Sequence, residues 1–227
     1  MTRPHVVALV PMRHDSERVP GKNYRLLGGR PLYHHVVSAL VESGVVDEVV
    51  IDTDSEVIAA DAAASFPDVR VVPRPLELLG GHVAMNDVLL HDVTQAPADL
   101  YLQTHSTNPL LRPSTIRDAM HALSESAGAH DTLFAVTALH TRLWWPDGRA
   151  VNHDPAVLLR TQDLPPVYEE NSNLYLFPAD VLQRRGNRIG ERPLLFPMDP
   201  LEAWDIDDEV DWQIVEVLYA MGTATSG

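Results

Sequence analysis

His5-Val6-Val7-Ala8-Leu9-Val10-Pro11-Met12-Arg13-His14-Asp15-Ser16-Glu17-Arg18-Val19-Pro20-Gly21-Lys22-Asn23 begins as an apolar, β-branched run and turns at Pro11 into a polar, cationic loop. The first part has the length and composition of a strand. The second places three cations (Arg13, Arg18, Lys22), the Ser16 hydroxyl, Gly21 and the Asn23 amide within eleven residues. In an open α/β sheet, ligands bind beyond the carboxyl ends of the strands, and this loop leaves its strand at that edge. Cations, a hydroxyl, an amide and a glycine are what a polyphosphate requires: charge neutralisation, bidentate guanidinium donors and close backbone approach. The spacing matches neither GxxxxGK[ST] nor GxGxxG, so the usual P-loop and dinucleotide readings fail. The competing view of the same residues is a solvated loop of alternating charge.

Outward from that loop, short apolar runs alternate with helical patterns. Strands are expected at Glu48–Asp52, Val69–Val72, Leu100–Gln103 and Thr132–Thr137. Helices are expected at Leu32–Val41, Glu56–Ser65, Met85–Gln95 and from Pro113 to about Ser126. Such alternation predicts βαβ units and an α/β, Rossmann-like, mostly parallel sheet with helices on both faces. Turn signals at Trp144–Gly148, Asn152–Pro155 and Pro165-Pro166 mark an irregular arm over about 142–166. A strand at Asn173–Phe177, a short helix at Ala179–Arg185, a strand near Leu194–Met198 and an amphipathic helix over Trp212–Met221 complete the chain. The 227 residues, with neither repeat nor linker, read as one domain, 1–227.

Composition narrows the function. Lys plus Arg is 17 against 32 Asp plus Glu, a formal charge of −15, which disfavours nucleic-acid backbone and anionic membrane as partners. No run approaches the ~18 apolar residues of a membrane span and the start lacks a signal-peptide layout, so the expected location is cytoplasmic. With no cysteine, thiolate catalysis, disulfides and zinc–sulfur sites are excluded, and any metal must be held by oxygen or histidine. Lys22 is the only lysine, and six of the 17 cations fall in the first 30 residues. A local cationic site on an acidic protein points to a small anionic ligand.

Asp205-Ile206-Asp207 is the second chemical feature. Alternation in an extended segment puts both carboxylates on one side and Ile206 on the other, a donor set suited to a hard divalent cation that also holds phosphate oxygens. The alternative is a helix N-cap with dipole-friendly acids, which accounts for Asp207 to Asp211 but not for Asp205. Asp52 and Asp54 end a strand before Ser55-Glu56 and read as capping rather than catalytic groups. The eleven histidines show no HExxH or comparable spacing; only His105, after the fourth strand, falls on the expected ligand edge.

The segments Leu9–Arg13 with Ser16 and Pro20-x-Lys22-Asn23, Asp52-Thr-Asp54, Arg74-Pro-x-Glu77-Leu78, Gln103, Asn108–Arg112, Asn171–Tyr175 and Asp205-Ile-Asp207 together resemble the acylneuraminate cytidylyltransferase family, in order and over almost the whole chain. The resemblance implies transfer of CMP from CTP to a sialic-acid-like acidic sugar, with release of pyrophosphate. It implies Mg²⁺ on Asp205 and Asp207, and a homodimer in which the arm reaches the partner's site. Arg13, Ser16, Arg18, Lys22 and Asn23 would then hold the nucleotide phosphates. Arg74 and Asn86 would lie near the base; a surface position for Arg74 competes with this. Acceptor-side candidates are Gln103, His105, Arg160, Glu169, Asn171 and Tyr175.

The chain departs from that pattern at three places. Ser16-Glu17-Arg18 replaces Ser-Lys-Gly, and Arg18 matches the loop of the related ketodeoxyoctonate enzymes. Thr104–Thr107 departs from Pro-Thr-Ser-Pro, and Glu169-Glu170-Asn171-Ser172 replaces Arg-Pro-Asn-Gly. Glu169 and Glu170 would repel a sugar acid if they faced it; alternatively they face solvent or pair with Arg160. The acceptor therefore stays open to a ketodeoxy sugar, an aminoalkylphosphonate or another alcohol, and a non-catalytic nucleotide-binding homologue is the alternative of a different class. No residue declares itself the general base.

Overall fold

The computed structural model describes residues 3–16, 18–126 and 128–224. In chain order the elements are β1 (Val6–Met12), a short 3₁₀ turn (Lys22–Tyr24), β2 (Leu26–Leu27), β3 (Arg30–Pro31), α1 (Leu32–Ser43), β4 (Glu48–Thr53), α2 (Glu56–Ser65), β5 (Arg70–Pro73) and α3 (Met85–Gln95). They continue with β6 (Leu100–Thr104), α4 (Pro113–Glu125), β7 (Thr132–Leu139), β8 (Val167–Phe177), α5 (Ala179–Arg185), β9 (Pro193–Pro197) and α6 (Glu209–Ala224).

Among the described residues, seven strands form one sheet in the order β5-β4-β1-β6-β8-β7-β9, with β2 and β3 as a separate two-stranded ribbon. The pairs β1·β4, β1·β6, β4·β5 and β7·β9 are parallel; β8 runs antiparallel to both β6 and β7. Every residue of β1 is buried, with alternate side chains serving opposite faces. Ala8, Val10 and Met12 pack with Val36, Leu40, Ile58 and Ile116 under α1, α2 and α4. Val7 and Leu9 pack with Leu89, Val93 and Leu182 under α3 and α5. Two-sided burial explains why β1 reads as a continuous apolar run rather than an alternating one. A third cluster, Val19, Leu27, Leu32, Ile206, Trp212 and Val215, docks α6 against the opening loop, and Arg25 lies 4.0 Å over the Trp212 ring.

The sequence reading has no counterpart to the β2–β3 ribbon, α6 starts at Glu209 rather than Trp212, and two further features differ from expectation. β8 starts at Val167 rather than Asn173, because its register against β7 shifts between Phe134 and Val136 and Ser172 adopts φ 57. That irregularity interrupts the period-two pattern by which strands are read. The α2 N-cap is Ser55, whose side chain accepts from the Ile58 N–H, and neither Asp52 nor Asp54 serves that role.

In this order the chain moves from β1 through β4 to β5 on one side and then crosses to β6 on the other. The crevice at the carboxyl ends of β1 and β6 is therefore the topological switch point at which α/β sheets bind ligands.

Candidate active site

A cleft of about 500 Å³ opens at that switch point, and Arg13, Ser16, Arg18, Lys22, Asn23, Arg74, His105, Asp205 and Asp207 all line it. Short polar bonds join the segments that carry them. Gly21, at φ 66, permits the turn that starts the Lys22–Tyr24 segment. Asn23 is buried; its amide donates to the Arg13 carbonyl (2.8 Å) and accepts from the Ser106 hydroxyl (2.7 Å), tying the loop after β1 to the loop after β6. The Ile206 N–H donates to the Thr107 carbonyl (3.0 Å), and Lys22 Nζ donates to the Ile206 carbonyl (2.5 Å). Three segments far apart in sequence are thus fixed around one opening.

The Asp205-Ile206-Asp207 segment has the geometry its alternation implies. Ile206 is fully buried in the third cluster while both carboxylates line the cleft. Capping of α6 falls to other acids: Asp208 accepts from the Val210 and Asp211 N–H groups, and Asp211 accepts from those of Asp207 and Asp208. The cap alternative thus holds for Asp208 and Asp211, leaving Asp205 and Asp207 for the cleft. Burial, with the Asp207 charge adding to it, raises the Asp205 pKa, against the Thr107 hydroxyl and Lys22, which lower it. Its Oδ1 is buried without a partner. An orphaned carboxylate oxygen beside a second carboxylate is an oxygen donor set that fits Mg²⁺. Asp207 is meanwhile held by Arg18 at 2.6 Å, both side chains being more than half exposed. Solvent screening makes such a pair weak, so Arg18 can exchange it for phosphate at little cost. Burial lowers the Lys22 pKa, and Asp205 and Asp207 oppose that shift.

Arg74 is buried rather than on the surface. It donates through Nε to Asp52 Oδ1 and through an NH₂ group to the Asp52 carbonyl (3.4 Å). Asp54 accepts the His14 N–H (2.7 Å), anchoring the opening loop. Behind Asp52 lies a group that sequence reading missed: Asp92 of α3, fully buried, with neither carboxylate oxygen partnered and Asp52 Oδ2 equally orphaned. Ligand atoms of Asp52, His91 and Asp92 lie within 4.8 Å of one another. Burial, and then the Asp52 charge, push the Asp92 pKa up to about 8, with Arg74 opposing. Burial and the neighbouring Asp52 charge thus favour the protonated, neutral form of Asp92, while Arg74 pairs with Asp52.

Beyond His105 the cleft adjoins a second polar group. Tyr175 donates its hydroxyl to Glu170 and contacts the Ser172 hydroxyl (3.3 Å). Arg188, in the turn after α5, lies 3.6 Å over the Tyr175 ring and donates to Gln103 Oε1 (2.6 Å). Burial, then the charges of Arg188 and Lys22, push the His105 pKa down to about 4, so its imidazole is neutral at pH 7. Asn86 does not line the cleft; its side-chain oxygen accepts the Arg188 N–H (3.3 Å). Asn171 bonds to Thr137 and to the Asn173 N–H. Glu169 is exposed, and Arg160 pairs with Asp163 in its own turn rather than with either glutamate. Arg188 carried no sequence signal beyond its place in the cationic run Arg184, Arg185, Arg188.

A crossover α/β sheet with a cationic loop and an acidic pair facing each other across the switch point defines a nucleotide-binding class. The family model described as Cytidylyltransferase matches residues 7–205, and the chain belongs to that family. Among curated relatives it is 27% identical to N-acylneuraminate cytidylyltransferase A of Danio rerio, over 93% of this chain and 50% of that protein. It is 28% identical to CMP-N,N'-diacetyllegionaminic acid synthase of Legionella pneumophila, over 94% of this chain and 95% of the other. The chain thus spans about half the length of the fish protein and nearly all of the bacterial one. The solved structure of CMP:2-keto-3-deoxy-manno-octonic acid synthetase complexed with CTP superposes with a TM-score of 0.69 at 17% identity, covering 96% of this chain and 99% of that one.

Proposed function

We propose that this protein transfers CMP from CTP to an acidic sugar of the nonulosonic class, releasing pyrophosphate. The observation that carries the reading is the convergence of Arg13, Arg18 and Lys22 with Asp205 and Asp207 in one cleft at the β1/β6 switch point. An acceptor hydroxyl oxygen bonds to the α-phosphorus of CTP, the bond from that phosphorus to the bridging oxygen breaks, and pyrophosphate leaves. Arg13, Arg18 and Lys22 neutralise the triphosphate, and fixed cations in a partly dry cleft need little reorganisation as charge builds on the leaving group. Asp205 and Asp207 would hold Mg²⁺, which supplies further positive charge against phosphate oxygens. The hydroxyl proton has an acceptor in the cleft in the neutral His105 imidazole. Arg74, held by Asp52, lines the same cleft and is assigned to the base end.

A homodimer is supported by the arm. It carries Trp144, Trp145, Val157 and Leu158 exposed, Leu158 at 90% of its surface, more apolar area than solvent alone favours on one short segment. No helix among the described residues is long and apolar enough to cross a membrane, and we assign the protein to the cytoplasm, where CTP is available. A ketodeoxy sugar is the second acceptor reading, favoured by Arg18 in the opening loop. Pyrophosphate release from CTP with Mg²⁺ decides, using N-acetylneuraminate, its deaminated analogue, a ketodeoxyoctonate and an aminoalkylphosphonate side by side. Turnover of an acidic sugar with CTP in preference to UTP and ATP is expected. Absence of turnover with every acceptor would leave a nucleotide-binding homologue.

A further inference from the structure

Arg188 is a part-buried cation that makes no ion pair among the described residues. Its guanidinium is stacked on the Tyr175 ring and bonded to Gln103, a neutral ring and a neutral amide, while Glu170, whose charge it feels, is engaged by the Tyr175 hydroxyl. The amide nitrogen of Gln103 is itself buried without a partner among the described residues. Removing a guanidinium from water without an anion beside it is costly, and stacking on tyrosine recovers only part of that cost. An unpaired, pre-oriented fork next to an orphaned amide donor has the chemistry of a carboxylate receptor, since both groups only donate toward an oxyanion. The position adjoins the cleft, because His105 and Ser172 line it and each touches or feels this group.

We propose that Arg188, positioned by Tyr175 and assisted by the Gln103 amide, is the subsite that receives the carboxylate of the acceptor. This rests on the acidic-sugar reading above and explains how a chain with Glu169 and Glu170 near its acceptor side still accepts an anion: the cation comes from the turn after α5, and Glu170 is held back by Tyr175.

The test compares an acidic sugar with its methyl ester, using N-acetylneuraminate or a ketodeoxyoctonate, whichever the wild type turns over faster. The wild type is expected to prefer acid over ester by at least tenfold in kcat/KM. Arg188→Gln is expected to raise the acceptor KM at least tenfold, to leave the CTP KM within twofold, and to bring the acid-to-ester ratio close to one. Arg188→Lys should restore part of that ratio, since it keeps the charge but not the fork. A purely structural role would depress acid and ester alike and shift the CTP KM. An unchanged ratio in Arg188→Gln, or a wild type indifferent to esterification, would overturn the assignment. Failure of the wild type to use any acidic sugar would overturn the acceptor reading itself, and this inference with it, and is scored separately from the ratio.

Discussion

Asp92→Asn tests the buried carboxylate pair behind Arg74. Asp92 titrates near 8 in the fold, mainly through burial, against an ordinary value of 3.8. A carboxyl whose pKa is raised on folding binds its proton more tightly in the native state. Stability is therefore lost as pH climbs from about 4 to about 8, and is flat below and above that window. At about 1.4 kcal/mol per unit, the three units between pH 5 and pH 8 correspond to roughly 4 kcal/mol. Asparagine matches the shape, offers Nδ2–H as a donor beside the orphaned Asp52 Oδ2, and does not titrate. Urea unfolding at pH 5, 6.5 and 8 should show the variant gaining on the wild type as pH rises, by about that amount over the window. Asp92→Ala, which leaves Asp52 Oδ2 buried and unpaired, should instead lose about 1–3 kcal/mol at pH 5. A stability difference between Asp92→Asn and wild type that stays constant with pH would refute the account of a buried, proton-retaining Asp92.

Lys22→Ala and Arg13→Ala should each weaken CTP binding by about 1.5–3 kcal/mol, roughly 10- to 150-fold, with melting temperature little changed in Arg13→Ala and modestly lowered in Lys22→Ala, where the Ile206 carbonyl loses its donor; near wild-type CTP kinetics in both would move the phosphate site elsewhere. Asp205→Asn and Asp207→Asn should abolish Mg²⁺-dependent turnover with only modest loss of nucleotide binding. Trp144→Ser with Trp145→Ser should shift a dimer toward monomer in sedimentation; an unchanged sedimentation coefficient would argue against the arm as the contact between copies.

The sheet and most of its helices could be read from local sequence because their determinants are local. β1 is apolar at every position since both its faces are covered, and α2 and α3 end where their apolar patterns end. The cationic loop and Asp205-Ile206-Asp207 were also legible, because residue type and two-residue alternation suffice to put charge on one side of a chain. Only the tertiary structure could show that Asp208 and Asp211 cap α6, since a run of four acids within five residues offers several equivalent caps until the helix start is set by the docking of Trp212. Asp52 looked like a capping acid for the same reason: a local hydrogen bond can be inferred locally, whereas its actual partner, Arg74, lies on the neighbouring strand's loop. Asp92 and Arg188 were invisible because each depends on a low-dielectric setting assembled from distant segments. A helix residue 40 positions from Asp52 becomes a buried acid beside it, and an arginine 85 positions from Gln103 becomes a cation with no ion pair among the described residues, only once the sheet has closed over them. Pattern along the chain determines which face of an element is buried; which charges are buried together is decided by packing, where the cost of desolvation is set.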